Sequence, residues 1–331
     1  MPRHRLLPLT AATMSTLLCL LTIGTSVTAQ EQASASPLPA GHVTVYTSVT
    51  QDTVDAVLAA LAAVAPELEV EVLRAPTGEL EARIAGELRT GGLGADVLWL
   101  TDPLSMERYQ EDGLLAPLTP AVSAAVPGAY QGDTFVGTRL LNLVFVAGAD
   151  VVDPPGSWAD LADARGVVIP DPGFAGSAFA ALGYLGTTDD YGMGYFSSLK
   201  DHGAVVVSSP VDVVNGVAEG IYQVGVTLDQ IARATMDKGA PLQLIWPEPG
   251  AIALYSPAAV LAGSEDEVAA AAFLEFLVSA PGQAAIAATG WQPVRDDVPW
   301  PDAGPVVTAD WDELYGRQAE LLAGFDAIFG D

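Results

Sequence analysis

The sequence has few cysteines, histidines and basic residues, and these shortages exclude several classes of function. One cysteine and three histidines occur among 331 residues, and 13 lysines and arginines stand against 41 aspartates and glutamates. A single cysteine cannot form an intramolecular disulfide. The net charge of −28 and the lack of any basic run argue against nucleic acids and anionic membranes as partners, because such binding depends on lysine and arginine neutralising phosphates.

The N-terminal segment, residues 1–29, differs from the rest and is predicted to be a secretory signal. Arg3 and Arg5 form a basic start, an apolar stretch spans residues 17–23, and small residues precede Gln30. The alternative is an uncleaved membrane anchor, which the short apolar core with its threonines disfavours. Cleavage before Gln30 removes the single cysteine. We therefore expect a periplasmic or extracellular protein without thiol chemistry.

Beyond a flexible lead over residues 30–41, the hydrophobic pattern indicates repeated strand–helix units. Half of the residues are apolar, and the length suits two domains. Strands followed by helices are predicted at 43–46, 70–74, 97–100, 167–169, 204–207 and 223–226. This alternation predicts parallel sheets and therefore two α/β lobes. Two extended segments, Thr134–Ala147 and Leu242–Leu254, are expected to cross between the lobes, and helices within residues 265–325 are expected to return to the first lobe.

Ligands of open parallel sheets bind at the carboxyl ends of the strands, where loops enter helices. Hydroxyl and glycine residues dominate those loops here, which suits hydrogen bonding to a small polar or anionic ligand. The candidate ligand-binding residues are Tyr46, Thr47, Ser48, Thr50, Thr77, Gly78, Thr101, Asp102, Gly176, Ser177, Ala178, Thr227, Asp229 and Gln230. Helix capping explains each such Ser, Thr or Asp equally well when it is taken alone. The expected convergence of five or six loops on one cleft favours binding.

The sequence contains no recognisable catalytic or metal-binding motif. GxSxG, HExxH, P-loop and strand-linked GxGxxG patterns are all missing. His42 and His202 are expected at the surface. We therefore predict a protein that is not an enzyme and that has no cofactor and no metal site. An exported hydrolase is the alternative from another class, and a sensor or adhesion module is a third hypothesis.

Several short segments match one known family in the same order, from residue 43 to about residue 300. The matching segments are Val43 followed by YTS at 46–48, TGELEARI at 77–84, ADVLW at 95–99, GLLAP at 113–117, GSWADL at 156–161, IPDP at 169–172, GSAF at 176–179 and GWQPVR at 290–295. They resemble the solute-binding proteins of ABC importers, specifically the group that contains ferric-ion, 2-aminoethylphosphonate and thiamine binders.

This resemblance implies a type II periplasmic-binding-protein fold. Two lobes, each a mostly parallel sheet flanked by helices, are hinged by two crossing segments and close over one solute. Lobe one is expected at residues 42–138 plus 255–331, and lobe two at 139–254. The resemblance also implies a monomer that delivers a small anionic or zwitterionic solute to an ABC permease.

The resemblance also bears on the identity of the solute. The turn at Gly176–Ala178 holds a phosphate, a phosphonate or a synergistic anion in relatives. Ferric binders take ligands from the loops occupied here by Thr50 and Thr101 and a tyrosine pair from the region that holds Gln230 here. Because these residues differ, we expect a phosphonate or phosphate ester resembling 2-aminoethylphosphonate, with Asp229 or Asp102 receiving its ammonium. Ferric ion is the alternative.

Overall fold

The computed structural model describes residues 38–75, 77–300 and 304–330, so the predicted secretory signal lies outside the described residues. The strands are β1 (Gly41–Thr47), β2 (Leu68–Arg74), β3 (Val97–Trp99), β4 (Val136–Gly148), β5 (Val167–Pro170), β6 (Val205–Val207), β7 (Val224–Leu228), β8 (Leu242–Ile245), β9 (Ala251–Val260), β10 (Gln292–Pro293) and β11 (Val306–Thr308). The helices are α1 (Gln51–Val64), α2 (Thr77–Thr90), α3 (Pro103–Glu111), α4 (Pro120–Ala125), α5 (Trp158–Ala162), α6 (Gly176–Thr187), α7 (Met193–Asp201), α8 (Pro210–Ala218), α9 (Asp229–Asp237), α10 (Glu267–Val278), α11 (Ala280–Ala288) and α12 (Trp311–Phe329).

One mixed sheet runs through the described residues in the order β2-β1-β3-β9-β4-β7-β5-β6. β1 pairs in parallel with β2 and β3, and β5 pairs in parallel with β6 and β7. Helices pack on both groups, which confirms the α/β class. We call the β1–β3 group with α1, α2, α10 and α11 lobe one, and the β5–β7 group with α6, α8 and α9 lobe two.

Two long antiparallel strands, β4 and β9, join the lobes. Every residue of both strands is buried, in keeping with their nearly unbroken apolar sequences. β4 pairs with β9 over its first half and with β7 and β8 over its second half. The crossing predicted at Thr134–Ala147 therefore corresponds to β4. The second crossing begins later than predicted, at Ala251, because Pro247 and Pro249 separate it from the short strand β8.

The C-terminal helix α12 packs differently from α10 and α11. Helices α10 and α11 contact β1 and α1 of lobe one, as expected. Helix α12 instead lies against α6 and α7, with a further contact to α3. The ring of Phe325 meets that of Phe196 edge-on, with centroids 5.6 Å apart. The C-terminal helix thus supports α6, and the lobe boundaries stay a prediction.

The length and hydropathy of the helices in the described chain determine whether one of them could cross a membrane. No single helix there combines the length and hydropathy that a membrane crossing needs. Helices α10 and α11 reach that length only as a pair, with a bend of 60° between them. Most residues of α10 are buried in the fold.

The close contact between α6 and α12 provides a test of the packing. A Cβ atom added at Gly183 of α6 would lie 2.2 Å from Cδ1 of Leu314, which is itself buried on α12. We expect Gly183→Ala to lower the free energy of unfolding by about 1–3 kcal/mol, because the packed core cannot yield freely. The matched control is Gly316→Ala on α12, where the added atom meets open space. It should raise the free energy of unfolding by about 0.5–1 kcal/mol. Urea titrations that give both variants the same change would contradict this packing.

Candidate ligand-binding site

A cavity of about 460 Å³ lies between lobe one and lobe two, at the ends of strands where loops enter helices. Six of the fourteen candidate residues line it: Thr50, Thr77, Thr101, Gly176, Ser177 and Gln230. They come from five separate segments of the chain, from the start of α1 to α9. The convergence of loops expected from the sequence is therefore present in this cavity. The ligand-binding roles of these residues stay predictions.

The remaining eight candidates do not line this cavity. They are Tyr46, Thr47, Ser48, Gly78, Asp102, Ala178, Thr227 and Asp229. The phenol of Tyr46 lies 3.0 Å from Glu87 on α2, and burial raises its pKa. The hydroxyl of Thr47 donates to the carbonyl of Trp99 at 2.6 Å, and that of Thr227 donates to Pro210 at 2.9 Å. Protein groups already engage these three side chains.

Hydroxyl groups form two chains along the lobe-one wall of the cavity. Thr101 Oγ1 lies 3.2 Å from both Ser48 Oγ and Thr77 Oγ1. Thr53 Oγ1 lies 3.0 Å from Thr50 Oγ1 and 3.1 Å from Thr289 Oγ1. Because a hydroxyl both donates and accepts, the chain through Thr101 can reorient its protons toward a bound solute. The second chain has a set direction, because the Thr289 hydroxyl donates to the carbonyl of Ile286 at 2.7 Å. This wall is therefore suited to polar solutes of either hydrogen-bonding sense.

The two candidate acids have partners within the fold. Asp102 caps α3, accepting from the Ser105 amide at 3.1 Å, and burial raises its pKa. Asp102 also lies beside the start of α6, since a Cβ atom added at Gly176 would be 3.1 Å from the Cβ atom of Asp102. Asp229 Oδ2 lies 3.6 Å from Arg233 Nε, and burial raises the pKa of Asp229 as well. Asp102 would have to give up part of these contacts to pair with an ammonium group, whereas Asp229 Oδ2 is buried without a hydrogen-bond partner among the described residues.

Arg139, on the crossing strand β4, is the most unusual residue of the cavity lining. It is 1% exposed, and its Nε and Nη1 atoms have no hydrogen-bond partner among the described residues. Burial without a counter-charge lowers the pKa of its guanidinium to about 9. A buried, unpaired cation is costly, and the cost falls sharply when an anion pairs with it.

Trp291, which follows Gly290 after α11, completes this corner of the cavity. The guanidinium carbon of Arg139 lies 4.2 Å from the centroid of the Trp291 ring, a cation–π geometry. The Nε1 atom of Trp291 is also buried and unpartnered within the described chain. Three donor nitrogen atoms from two adjacent side chains therefore lack acceptors among the described residues. Such a corner is suited to an acceptor-rich group such as a carboxylate, a phosphate or a phosphonate.

Arg139 and Trp291 were missed as site residues by sequence reasoning, although a sequence feature pointed to the arginine. It is the one charged residue in the apolar stretch from Val136 to Gly148. A lone charge in a fully buried strand requires either a partner or a function. Trp291 lacked a comparable feature, because one Trp after a helix is common in protein cores.

A direct hydrogen bond links the lobes beside the cavity. Gln230 Nε2 on α9 donates to the carbonyl of Thr289 at 3.1 Å. The neighbouring Gly290 has a φ of +89°, and a Cβ atom there would lie 3.1 Å from Cγ of Gln230. This backbone conformation, which disfavours side chains, lets Gln230 approach closely. The arrangement brings lobe two against lobe one at one end of the cavity.

The His, Cys, Asp and Glu side chains of the described residues are the candidate metal ligands. No group of three or more His, Cys, Asp or Glu side chains there is arranged to hold a metal ion. The described side chains that line the cavity include Asp52 but no tyrosine, histidine or cysteine.

Comparisons with known proteins agree with this fold. A family model described as bacterial extracellular solute-binding protein matches residues 43–292. Comparison with curated proteins gives no significant match. Iron-bound HitA of Pseudomonas aeruginosa is 21% identical over 88% of this chain and 100% of its own, with a TM-score of 0.74.

Two further solved structures are similar. A Trichodesmium protein, IdiA (FutA), in complex with iron and citrate is 20% identical over 88% of this chain and 100% of its own, with a TM-score of 0.75. The substrate-binding protein of an ABC transporter from Agrobacterium tumefaciens is 17% identical over 86% of this chain and 94% of its own, with a TM-score of 0.73. Identities this low show a shared fold. Two of these structures are named for bound iron, and none of the three names a phosphonate.

The unpaired charge of Arg139 predicts an unusual stability effect. Replacing it by methionine should raise the free energy of unfolding of the ligand-free protein by about 1–3 kcal/mol, because relief of the buried charge exceeds the lost contact with Trp291. The control is Arg295→Met, which removes a partly exposed ion pair to Asp297 at 2.7 Å. It should change the same quantity by less than about 1 kcal/mol. If guanidinium chloride titration instead shows Arg139→Met to be strongly destabilising, the arginine has a structural role.

Proposed function

Because the chain belongs to the bacterial extracellular solute-binding proteins, which deliver small solutes to ABC permeases, we propose that it captures a small anionic solute in the cavity beside Arg139. Family and fold are those of binding proteins and not of enzymes. The family is extracellular or periplasmic. In keeping with this, we propose that residues 1–29 are a cleavable signal and that the exported protein acts as a monomer.

The buried, unpartnered guanidinium of Arg139 is the observation that supports an anionic solute most strongly. A cation that is 1% exposed and without an acceptor keeps its full attraction for an incoming anion, because little water competes with it. The guanidinium lies over the Trp291 ring, with its carbon 4.2 Å from the ring centroid. A planar or tetrahedral oxyanion can then accept two N–H bonds at once.

The start of α6 offers a second group of donors on the lobe-two side of the same cavity. Its N-cap residue, Ala175, has no side-chain acceptor for the first amides of the helix, and Gly176 and Ser177 line the cavity. A helix N-terminus carries a partial positive charge of roughly half a unit. Asp102 lies on one side of it, so an anion would approach from the side of Ser177 and Arg139.

The first test of this proposal uses methylphosphonate as probe and isothermal titration calorimetry as readout. Arg139→Met should abolish binding, because the buried cation supplies the principal charge interaction. Ser177→Ala should weaken binding by about 1.5–3 kcal/mol, the contribution of one hydrogen bond to a charged group. Ser177→Asp should prevent binding, since it places a carboxylate where the anion sits. The control Ser197→Ala, on the exposed face of α7, should leave the affinity unchanged.

Other results of the same titrations would contradict the proposal or select the class of solute. If Arg139→Met binds methylphosphonate as the wild type does, the anion site lies elsewhere. A stronger affinity for 2-aminoethylphosphonate than for methylphosphonate would support the aminophosphonate class. If neither phosphonate binds the wild-type protein, the phosphonate class is wrong and the ferric candidate takes its place.

Ferric ion is the second candidate, and the comparisons are the observation that favours it. The described cavity lining holds no tyrosine, so the ion would have to be bound as a complex with an anionic chelator. Arg139 would then neutralise a carboxylate of that chelator, and the threonine hydroxyls would contact its oxygens. On this view the anion-binding corner serves both candidates.

Ferric citrate distinguishes the two modes of iron binding. We expect any binding of ferric citrate to be lost in Arg139→Met and to produce no intense visible tyrosine-to-iron band, because no tyrosine among the described residues lines the cavity. Visible absorption spectra and equilibrium dialysis measure the two quantities. A strongly coloured 1:1 complex that survives in Arg139→Met would show that tyrosines outside this cavity bind the ion.

A further inference from the structure

Phe174 lies in the loop before α6. Every other described phenylalanine, tyrosine or tryptophan side chain is buried or half-buried, whereas that of Phe174 is exposed to solvent. It is 80% exposed and lines the cavity. Its ring makes no contact with another described ring or cation. A phenylalanine in water loses the benefit of burial, so its position at a ligand cavity calls for an explanation.

The loop that carries Phe174 is held in place by its own hydrogen bonds. Asp171 Oδ1 accepts from the Gly173 amide at 2.7 Å. The carbonyl of Asp171 accepts from the amides of Phe174 at 3.2 Å and Ala175 at 3.0 Å. The hydrogen-bonded turn at residues 171–175 therefore holds the Phe174 ring at the cavity.

The lobe-two wall of the cavity carries apolar side chains in addition to the polar Asn215, Thr235 and Lys238. Val211, at the start of α8, is 48% exposed and lines the cavity, as do Pro210, Ile231 and Ala234. The opposite wall from lobe one consists mainly of the threonine hydroxyls already described. The cavity thus combines exposed apolar side chains on lobe two, a hydroxyl wall on lobe one, the cationic corner at Arg139 and a second cation, Lys238.

We propose that the solute carries an apolar ring, which covers Phe174 and Val211, in addition to the anionic group held at Arg139. This inference rests on the proposed anionic solute and narrows its class to ring-bearing phosphonates, phosphates or carboxylates. Contact with the solute ring would remove apolar surface from water on both partners. Offset or edge-on ring packing would add a smaller, geometry-dependent gain.

The experiment compares matched probes that differ only in the ring. Calorimetry measures the affinities of methylphosphonate and phenylphosphonate, and of acetate and phenylacetate, for the wild type, Phe174→Ala, Phe174→Leu and Arg139→Met. The wild type should bind each ring-bearing probe about tenfold more tightly than its small counterpart, equivalent to about 1.4 kcal/mol. Phe174→Ala should remove this preference and leave the small probes within about twofold, and Phe174→Leu should retain part of it. The control Val152→Ala, on an exposed valine that does not line the cavity, should change nothing.

Each outcome decides a different claim. Equal affinities for ring-bearing and small probes, unaffected by Phe174→Ala but lost in Arg139→Met, would overturn the ring inference and leave the anion proposal intact. A ring preference that persists in Phe174→Ala would also overturn the inference, because the ring would then bind elsewhere. If none of the four probes binds the wild type, simple phosphonates and carboxylates are excluded as solutes and the ring inference falls with them.

Discussion

The burial of one unpaired guanidinium on a strand shared by both lobes is the constraint on which the site depends. Arg139 lies in β4, which pairs with β9 on one side and with strands of lobe two further along. The cation thus sits on a fully buried strand of the central sheet and not on a loop. Donors from the loops of either lobe can be arranged around it. A fixed charge with adaptable surroundings is an effective way to preorganise an anion site.

The buried charge of Arg139 lowers the stability of the ligand-free protein and favours the binding of an anion. A ligand-free protein that buries a cation without an acceptor gives up stability, and it recovers that free energy when an anion pairs with the cation. The partner contact with Trp291 offsets only part of the cost, since a ring face attracts a cation more weakly than a carboxylate does. The rest of the structure compensates through the extensive apolar core of the two lobes. Strained or destabilised groups that persist in a well-packed fold are typical of functional sites.

Sequence patterns predicted the strand–helix units well because they depend on local periodicity. Val43 and Val45 alternate as expected for β1, and Leu80 and Ile84 lie on the buried face of α2. The loops at strand ends were likewise readable, and six of their residues line the cavity. Which of those residues line the cavity could not be read from the sequence, because Tyr46 and Thr227 contact neighbours that are distant in sequence, Glu87 and Pro210. The orientation of Phe174 toward the cavity could not be predicted either, since exposure depends on how two lobes meet.

The net charge of −28 limits how an anion can be captured. At long range the acidic surface repels an anionic solute and slows its association, although salt screens this repulsion beyond about 8 Å. Affinity must therefore come from short-range contacts that slow dissociation. A desolvated guanidinium, the amides at the start of α6 and an apolar ring contact all act over short distances. Their strength grows as water is excluded, so closer approach of the lobes would favour the bound state. The acidic surface and the cationic corner are thus compatible, because one acts on encounter and the other acts after contact.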